Sequence, residues 1–377
     1  MISESFVKEI DRLSADRFQR QYPADNIRHA AEVEWDVIGD RVPGSIRYAF
    51  FKLTMRCNSD CEYCEHAYSK NQGRYTEQPI EVLLDVVDQL GDAGVCACSV
   101  SGGEPLTYTH IDAVIEKMVS RGIEPILLTN GILLPSKAEQ LYSAGLRYVI
   151  MSIDSFNPDH YKKTRGISLD KVSESYSYMV DFVRSHPDMT FRLTTVLSSS
   201  NTSDVVELIE RATSDGVGVQ LTPYHNFINS DDTLSPKDIE EVSSTVDKLL
   251  QMKDGGAMIS NSREYLRFFP RFFAEGSRIP HGEYRCRCGY EAVYVWPDLS
   301  VKSCWSTTLP VLGNLRENSL SEIWAGEEYR RQRRRMLSCQ CEGCWLLCTA
   351  EFNIALDSYL SMQMEDVNDS IGCNSDL

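Results

Sequence analysis

No stretch of this chain is apolar for long enough to cross a bilayer. The opening residues Met1-Ile2-Ser3-Glu4-Ser5-Phe6-Val7-Lys8-Glu9 also lack the apolar run of an export signal. The expected location is therefore the cytoplasm, with no membrane partner. Positive charge is scarce as well: 38 Lys and Arg stand against 55 Asp and Glu, a net charge of −17. Nucleic acids are bound by neutralising phosphates with cations, so this balance argues against a nucleic-acid partner. The one dense basic run, Arg330-Arg331-Gln332-Arg333-Arg334-Arg335, follows Glu327-Glu328. It reads as a solvated helix face with i,i+4 pairs such as Glu327 with Arg331.

Cysteine is abundant, with 13 in 377 residues. Without an export signal these thiols point to metal ligation in a reducing compartment and not to disulfides. They cluster: Cys57, Cys61 and Cys64 lie together, eight fall between Cys286 and Cys373, and only Cys96 and Cys98 stand apart. The first group reads C-x3-C-x2-C. Three thiolates on one tight loop can hold three irons of a [4Fe–4S] cube and leave the fourth open to a small molecule. The competing reading is a structural zinc site with His66 as fourth ligand.

The chain is long enough for a barrel-sized core and a smaller second domain. Residues 1–45 read as a helical arm with Phe6, Ile10, Leu13 and Phe18 on one stripe. Beyond them, short apolar runs at 48–55, 96–101, 125–129, 148–153, 191–197 and 217–221 alternate with amphipathic stretches. That alternation predicts a parallel α/β sheet over 46–230. A helical connector over 231–280, a cysteine-rich domain over 281–350 and a tail over 351–377 complete the expected organisation. In such sheets functional groups gather at the C-terminal strand ends. Four motifs fall there: the cysteine loop, Ser101-Gly102-Gly103-Glu104-Pro105, Thr129-Asn130-Gly131 and Ser152-Ile153-Asp154-Ser155.

Together these motifs resemble those of the radical S-adenosylmethionine (SAM) enzymes, with Tyr63 as the aromatic residue before the third cysteine. The resemblance implies a partial (βα)6 barrel in which Cys57, Cys61 and Cys64 ligate a [4Fe–4S] cluster and SAM chelates its open iron. It implies that the Gly102-Gly103-Glu104-Pro105 edge receives the SAM amino group, through backbone carbonyls and Glu104. Ser152 and Asp154 would reach the ribose or carboxylate, and Asn130 and Arg165 are weaker transfers to the same pocket. Each has a plainer reading: a Gly-Gly turn, an Asx turn or helix cap at Asp154 or Ser155, a surface ion pair for Arg165. Gln220, Thr222, Tyr224 and His225 crowd the sixth strand's exit, where substrate or adenine would sit, with His225 expected as a hydrogen-bonded wall residue.

The later cysteines resemble a SPASM or twitch auxiliary-cluster domain. The likeness rests on Cys286-Arg287-Cys288-Gly289, on Trp296 through Cys304, on Gly313-Asn314-Leu315 and Leu320-Ser321-Glu322-Ile323-Trp324, and on the run from Cys339 to Cys348. The family places a glycine five residues before the second cysteine, and Leu299 stands there, so the tight turn is expected to be altered. The preferred reading is one auxiliary [4Fe–4S] cluster on Cys286, Cys304, Cys341 and Cys344, with Cys348 the rival for a place. Two clusters, with Cys373 as a last ligand, remain the alternative, and a zinc ribbon is the plain one.

The resemblance implies reductive cleavage of SAM to a 5′-deoxyadenosyl radical, hydrogen abstraction from a substrate C–H bond, and a flavodoxin- or ferredoxin-type electron donor. In related enzymes the auxiliary cluster accepts the substrate electron, which implies net oxidation or a cross-link. The expected reaction is oxidation, epimerisation or related remodelling of a small polar natural-product intermediate. A peptide maturase is the alternative, although 45 residues before the barrel are few for a leader-binding domain. Trp305 replaces the aspartate of sulfatase-maturing relatives, which disfavours that activity. An epimerase needs a thiol hydrogen donor, for which Cys96, Cys98, Cys288 and Cys373 are candidates. A non-catalytic iron–sulfur or zinc adaptor would explain the cysteines but not the other strand-exit motifs.

Overall fold

The computed structural model describes residues 33–64, 77–225, 232–279, 285–305, 309–338, 340–341, 343–354 and 357. The helical arm through residue 32, His66, Cys339, Cys373 and the tail beyond 357 therefore lie outside the described residues. Among the described residues no helix is long and apolar enough to cross a membrane.

Six parallel strands follow the alternation of the sequence: β1 (Tyr48–Thr54), β2 (Ala97–Gly102), β3 (Glu124–Thr129), β4 (Tyr148–Ser152), β5 (Thr190–Leu197) and β6 (Gly218–Pro223). Between them run α1 (Ile80–Asp92), α2 (Ile111–Ser120), α3 (Leu134–Ser143), α4 (Pro158–Arg165), α5 (Leu169–Ser185) and α6 (Val205–Ser214). The periodicity did not reveal α4, whose sequence Pro-Asp-His-Tyr-Lys-Lys-Thr-Arg carries one large apolar residue, Tyr161. It is marked instead by its ends: Asn157 accepts from the Asp159 and His160 N–H groups, and Gly166 closes it at φ 68°.

After α7 (Ile239–Asp254), α8 (Arg263–Arg267) and α9 (Phe269–Ala274), the chain returns to the sheet as β7 (Ala292–Val295), β8 (Ser300–Lys302) and β9 (Gly313–Asn314). The strand order is β6-β5-β4-β3-β2-β1-β7-β8-β9. β7 pairs parallel to β1, with Tyr48 opposite Ala292 and Phe50 opposite Tyr294, while β8 and β9 are antiparallel. The cysteine-rich segment thus extends the barrel's own sheet. α10 (Leu320–Ala325), which Ser319 and Glu322 start with a capping box, and α11 (Glu327–Leu337) follow it.

Alternation sorts the strands into two faces. Ala49, Phe51, Leu53, Val100, Leu127, Val149, Leu193 and Leu221 point outward and are buried in the main core under the helices. The helices present matching stripes, such as Leu83, Val86, Val87 and Leu90 on α1 and Val205, Leu208, Ile209 and Ala212 on α6. The concave inner face differs. Near its strand ends Phe50, Ser101, Leu128, Ser152, Thr194, Val196 and Thr222 are only half-buried. This face is a hydroxyl-rich hollow open to solvent, with a small apolar floor of Ala97, Ile126, Tyr148 and Ile150.

Two expectations are corrected. The basic run on α11 is not uniformly a solvated face: Arg333 is 1% exposed and stacks on Trp324 and Tyr329 at 4.2 and 4.4 Å. Its Nε donates to the Gly289 carbonyl at 2.9 Å, so it pins the turn beside Cys288. The surface pair is also one residue shorter than expected, Arg331 meeting Glu328 at i,i+3. The substitution of glycine by Leu299, in turn, does not remove the tight turn between β7 and β8. Leu299 adopts φ 67°, the region glycine favours, and its N–H donates to the Trp296 carbonyl at 2.8 Å. Burial of its side chain, 2% exposed, offsets the strain. Leu299→Ala, which keeps the strain and loses the packing, is expected to cost about 2–3 kcal/mol. Leu299→Gly recovers about 1 kcal/mol of strain and should fall between Ala and wild type in denaturant unfolding.

Candidate active site and metal centres

The first cysteine loop leaves β1 at Thr54 and is held from three sides. Under the loop, Asn130 Nδ2 donates to Asn58 Oδ1 at 2.7 Å and Ser59 Oγ at 2.9 Å. Beside it, the Asp60 and Glu62 N–H groups donate to the carbonyls of Arg165 and Thr164 at 3.2 and 3.0 Å. Behind it lies a buried ion pair. Arg165, 7% exposed, donates through Nε and Nη2 to both oxygens of Asp154, at 2.6 and 2.9 Å. Asp154 also accepts from the Tyr63 hydroxyl at 2.6 Å and the Val196 N–H at 2.9 Å. Arg165 Nη1 comes to 4.0 Å from Cys61 Sγ. Asp154 and Arg165 are thus neither helix cap nor surface pair; the α4 cap is Asn157, and Ser155 serves the turn by accepting from the Asn157 N–H.

The Gly-Gly edge packs on this same exit. Gly103 N–H donates to Thr54 O and Glu104 N–H to Arg56 O, both at 2.7 Å. Gly102 has φ 140°, and a Cβ on Gly102 or Gly103 would overlap the carbonyl oxygens of Thr54 and Arg56. The close approach these glycines permit is to the chain's own cysteine-bearing strand. Pro105 starts a short 3-10 turn over Pro105–Thr107. Glu104 is buried and ties neighbouring strand exits together, accepting from Thr129 Oγ1 at 2.7 Å, Asn130 N–H at 2.7 Å and Leu106 N–H at 3.1 Å. Burial pushes its carboxyl up to about 7, although those donors pull it down. Ser152 ends β4 on the open inner face, opposite Thr194. His225 is a wall residue: its Nε2 accepts the Trp345 N–H at 2.9 Å, and burial lowers it to about 3. Gln220 is buried on the inner face, with Oε1 lacking a hydrogen-bond partner among the described residues.

The second centre forms where β7, β8 and the segment after α11 meet. Cys286, Cys288 and Cys304 are buried together with Met336 and Leu309, and Cys341 packs against them. Burial, then the field of Cys344, Cys341 and Cys348, raises Cys286; burial, then Cys286, Cys304 and Cys348, raises Cys288. Burial raises Cys344, and it pushes Cys348 up to about 12. The expected quartet Cys286, Cys304, Cys341 and Cys344 is therefore brought into one neighbourhood, and Cys288 and Cys348 share it. Cys61 at the first loop is likewise pushed by burial to about 11. Burial favours the neutral thiol, and a bound metal would favour the thiolate by taking the proton's place. Among the described residues no three His, Cys, Asp or Glu side chains converge as ligands of a single ion. A cube instead takes one thiolate at each iron, so sulfur-only donor sets in two groups fit iron–sulfur clusters.

Two functional candidates were not identified from the sequence. Lys52, 2% exposed on the inner face of β1, lays its Nζ on the Trp296 ring at 3.3 Å, with Trp305 at 5.2 Å. Tyr294, opposite Phe50 across β1 and β7, points its hydroxyl at Cys288 and Cys348. Strand alternation alone assigns both to the inner face; nothing local signals their partners.

Comparison with known proteins agrees with this geometry. Residues 51–212 match the family model of the radical SAM superfamily, and residues 286–345 that of SPASM, described as an iron–sulfur cluster-binding domain. A GTP 3′,8-cyclase of Alkaliphilus oremlandii is 41% identical over 134 residues, 34% of this chain and 42% of that protein. The chain spans about half the length of the curated relatives it matches first. An AdoMet-dependent heme synthase of Methanosarcina barkeri is 26% identical over 76% of this chain and 84% of that protein. In fold, the chain resembles Streptococcus suis SuiB bound to S-adenosylmethionine, with TM-score 0.65 at 17% identity, over 90% of this chain and 84% of that one.

Asp154→Ala would leave Arg165 charged, buried and unpaired; it is expected to destabilise the fold by about 3–5 kcal/mol in denaturant unfolding and to lower iron uptake at the first loop. Glu104 makes stability depend on pH. Its folded-state value, about 7, lies above the ordinary 4.5. As pH rises through that window the unfolded chain releases its proton first, so stability falls, then levels off above about 7. Glu351, also raised by burial to about 7, adds to the slope. Denaturant midpoints from pH 5 to 8 should show a shallower fall for Glu104→Gln than for wild type.

Proposed function

Because the chain is a radical SAM protein with a C-terminal SPASM domain, we propose that it is an enzyme that activates a C–H bond of a small polar natural-product intermediate, for oxidation or epimerisation. [4Fe–4S] clusters and SAM are the cofactors that these two domains imply. In this reading Cys57, Cys61 and Cys64 hold the cluster that binds SAM, and Cys286, Cys304, Cys341 and Cys344 hold an auxiliary cluster, with Cys348 in competition for a place. When bound, the first cluster and SAM supply a 5′-deoxyadenosyl radical able to take a hydrogen atom from an unactivated carbon.

What the chain's own residues contribute is position. The Asp154–Arg165 pair and Asn130 keep the loop of Cys57, Cys61 and Cys64 at the rim. Gly102, Gly103 and Pro105 form the edge that meets the SAM amino group, with Glu104 anchoring it to β3 from beneath. Ser152, beside Tyr63 and Asp154, faces the ribose and carboxylate side. Substrate occupies the hollow lined by Ser101, Thr194 and Thr222, with Gln220 and Lys52 in its walls. The hydroxyls and Gln220 Oε1 offer hydrogen bonds to a polar substrate, and the apolar floor excludes water beneath it.

One observation carries this reading. β1 delivers the first cysteine loop, its hydrogen-bonded neighbour β7 leads through the β8 hairpin to Cys304, and the inner face of the sheet they share opens as one polar hollow. The heme synthase relative, matched over 84% of its length, bears the name of a small-molecule enzyme and supports that substrate class. A peptide substrate is the second reading, supported by the fold likeness to SuiB bound to its precursor peptide SuiA. A cytoplasmic location and a flavodoxin- or ferredoxin-type donor belong to the same proposal.

Anaerobic reconstitution, with iron and sulfide counted and 5′-deoxyadenosine release measured under reduction, tests it. Wild type should release 5′-deoxyadenosine, and the Cys57→Ala/Cys61→Ala/Cys64→Ala variant should release none while keeping about four irons, or about eight if two auxiliary clusters form. Release by neither protein, with zinc bound in place of iron, would reduce the chain to a metal-stapled binding protein.

A further inference from the structure

The six described cysteines of the second centre are not equivalent in their surroundings. One phenol, that of Tyr294, touches two of them: its oxygen lies 3.9 Å from Cys288 Sγ and 3.7 Å from Cys348 Sγ. Neither thiol belongs to the preferred quartet. The same side chain is 1% exposed, and its ring stacks on Phe50 with centroids 4.2 Å apart and planes 6° from parallel. Phe50 is half-buried on the inner face and lines the hollow, with Tyr48 4.9 Å from it. Cross-strand register imposes this contact, because Phe50 and Tyr294 are direct partners in the β1–β7 ladder. Tyr48 in turn is fixed by its hydroxyl's 2.7 Å hydrogen bond with Ser99 Oγ. One stacked pair of rings, Tyr294 on Phe50, therefore runs from the thiols of the second centre to the wall of the hollow.

We propose that Tyr294 is the positioning residue that couples the auxiliary cluster to the substrate hollow, its O–H donating to cluster thiolate at Cys348 or Cys288 while its ring stacks on the hollow's wall. This rests on the presence of an auxiliary cluster at the second centre, as proposed above, with Cys348 or Cys288 taking the place of one member of the quartet. As free groups, phenol and thiol can each donate. Once a thiolate ligates iron it can only accept, so the phenol becomes the donor. A hydrogen bond to a cluster sulfur stabilises the more negative, reduced form and raises the reduction potential. The proposal also places Cys348 or Cys288 in the ligand shell, since a phenol on a non-ligating thiol would leave the potential untouched.

The test uses the full chain reconstituted with iron and sulfide, in the Cys57→Ala/Cys61→Ala/Cys64→Ala background so that only the second centre contributes. Its midpoint potential is read by redox titration followed by electron paramagnetic resonance. Tyr294→Phe, which removes one oxygen and keeps the stack, should lower the potential with iron content unchanged. Phe50→Leu, which removes the stack and keeps the donor, should leave it in place. An unchanged potential in Tyr294→Phe with iron retained overturns the proposal, as does an equal shift in Phe50→Leu, which would assign the effect to packing. If Tyr294→Phe fails to load iron, difluorotyrosine placed at position 294 strengthens the donor and should raise the potential; no change there also overturns it. Absence of iron in the parent itself would instead refute the auxiliary-cluster reading.

Discussion

The parallel pairing of β1 with β7 is the constraint on which the rest of this molecule depends. β1 already sits at the edge of a six-strand parallel sheet, and an edge strand presents unpaired N–H and C=O groups. β7 satisfies them from Tyr48 to Phe51. In doing so it brings the C-terminal cysteine segment to the same sheet as the first cysteine loop. Two groups of thiols far apart in the chain are thereby carried on one pair of strands, the first loop beyond the C-terminal end of β1 and Cys286, Cys288 and Cys304 at the N-terminal end of β7. The inner-face side chains of β1 and β7 then form a shared wall: Phe50 on Tyr294, and Lys52 on the Trp296 ring just past the end of β7.

Around the first loop, polar groups are buried at a cost that only full pairing can offset. Asp154 illustrates the solution. Its two oxygens accept two bonds from Arg165, one from Tyr63 and one from the Val196 N–H, joining α4, the cysteine loop and β5. Glu104 does the same between the β2 and β3 exits. Both carboxylates act as fixed joints, so the thiols emerge from a rigid rim. Rigidity matters for a cluster that leaves one iron open, because the free corner must face the hollow each time the cluster is built.

Much of this was legible in the sequence. The alternation of apolar runs and amphipathic stretches located all six parallel strands, because each strand buries its outer face under a helix whose own apolar stripe recurs at helical spacing. The strand-exit rule placed the cysteine loop, the Gly-Gly edge, Asn130 and Asp154 on one rim. Contacts between elements were not legible. Asn130 and Arg165 read as transfers to the SAM pocket; the structure adds that Asn130 supports the cysteine loop and that Arg165 is clamped on Asp154 at the exit of β4. Arg333 read as surface charge, yet it stacks between Trp324 of the preceding helix and Tyr329 of its own. Leu299 read as an altered turn, yet the backbone keeps the glycine-like turn and the buried side chain compensates.

The sequence by itself determined the period of each element, the spacing of the thiols and the end of the sheet at which the chemistry gathers. These follow from local rules: side chains alternate along a strand, and a tight loop limits how far three cysteines can separate. Only the tertiary structure decided which thiols share a centre, that β7 joins β1, and that Lys52 and Tyr294 face the same hollow. Those outcomes rest on register between strands distant in the chain. Register is a property of a pair of strands, set by the fit of both faces at once, and it leaves no period in either strand alone.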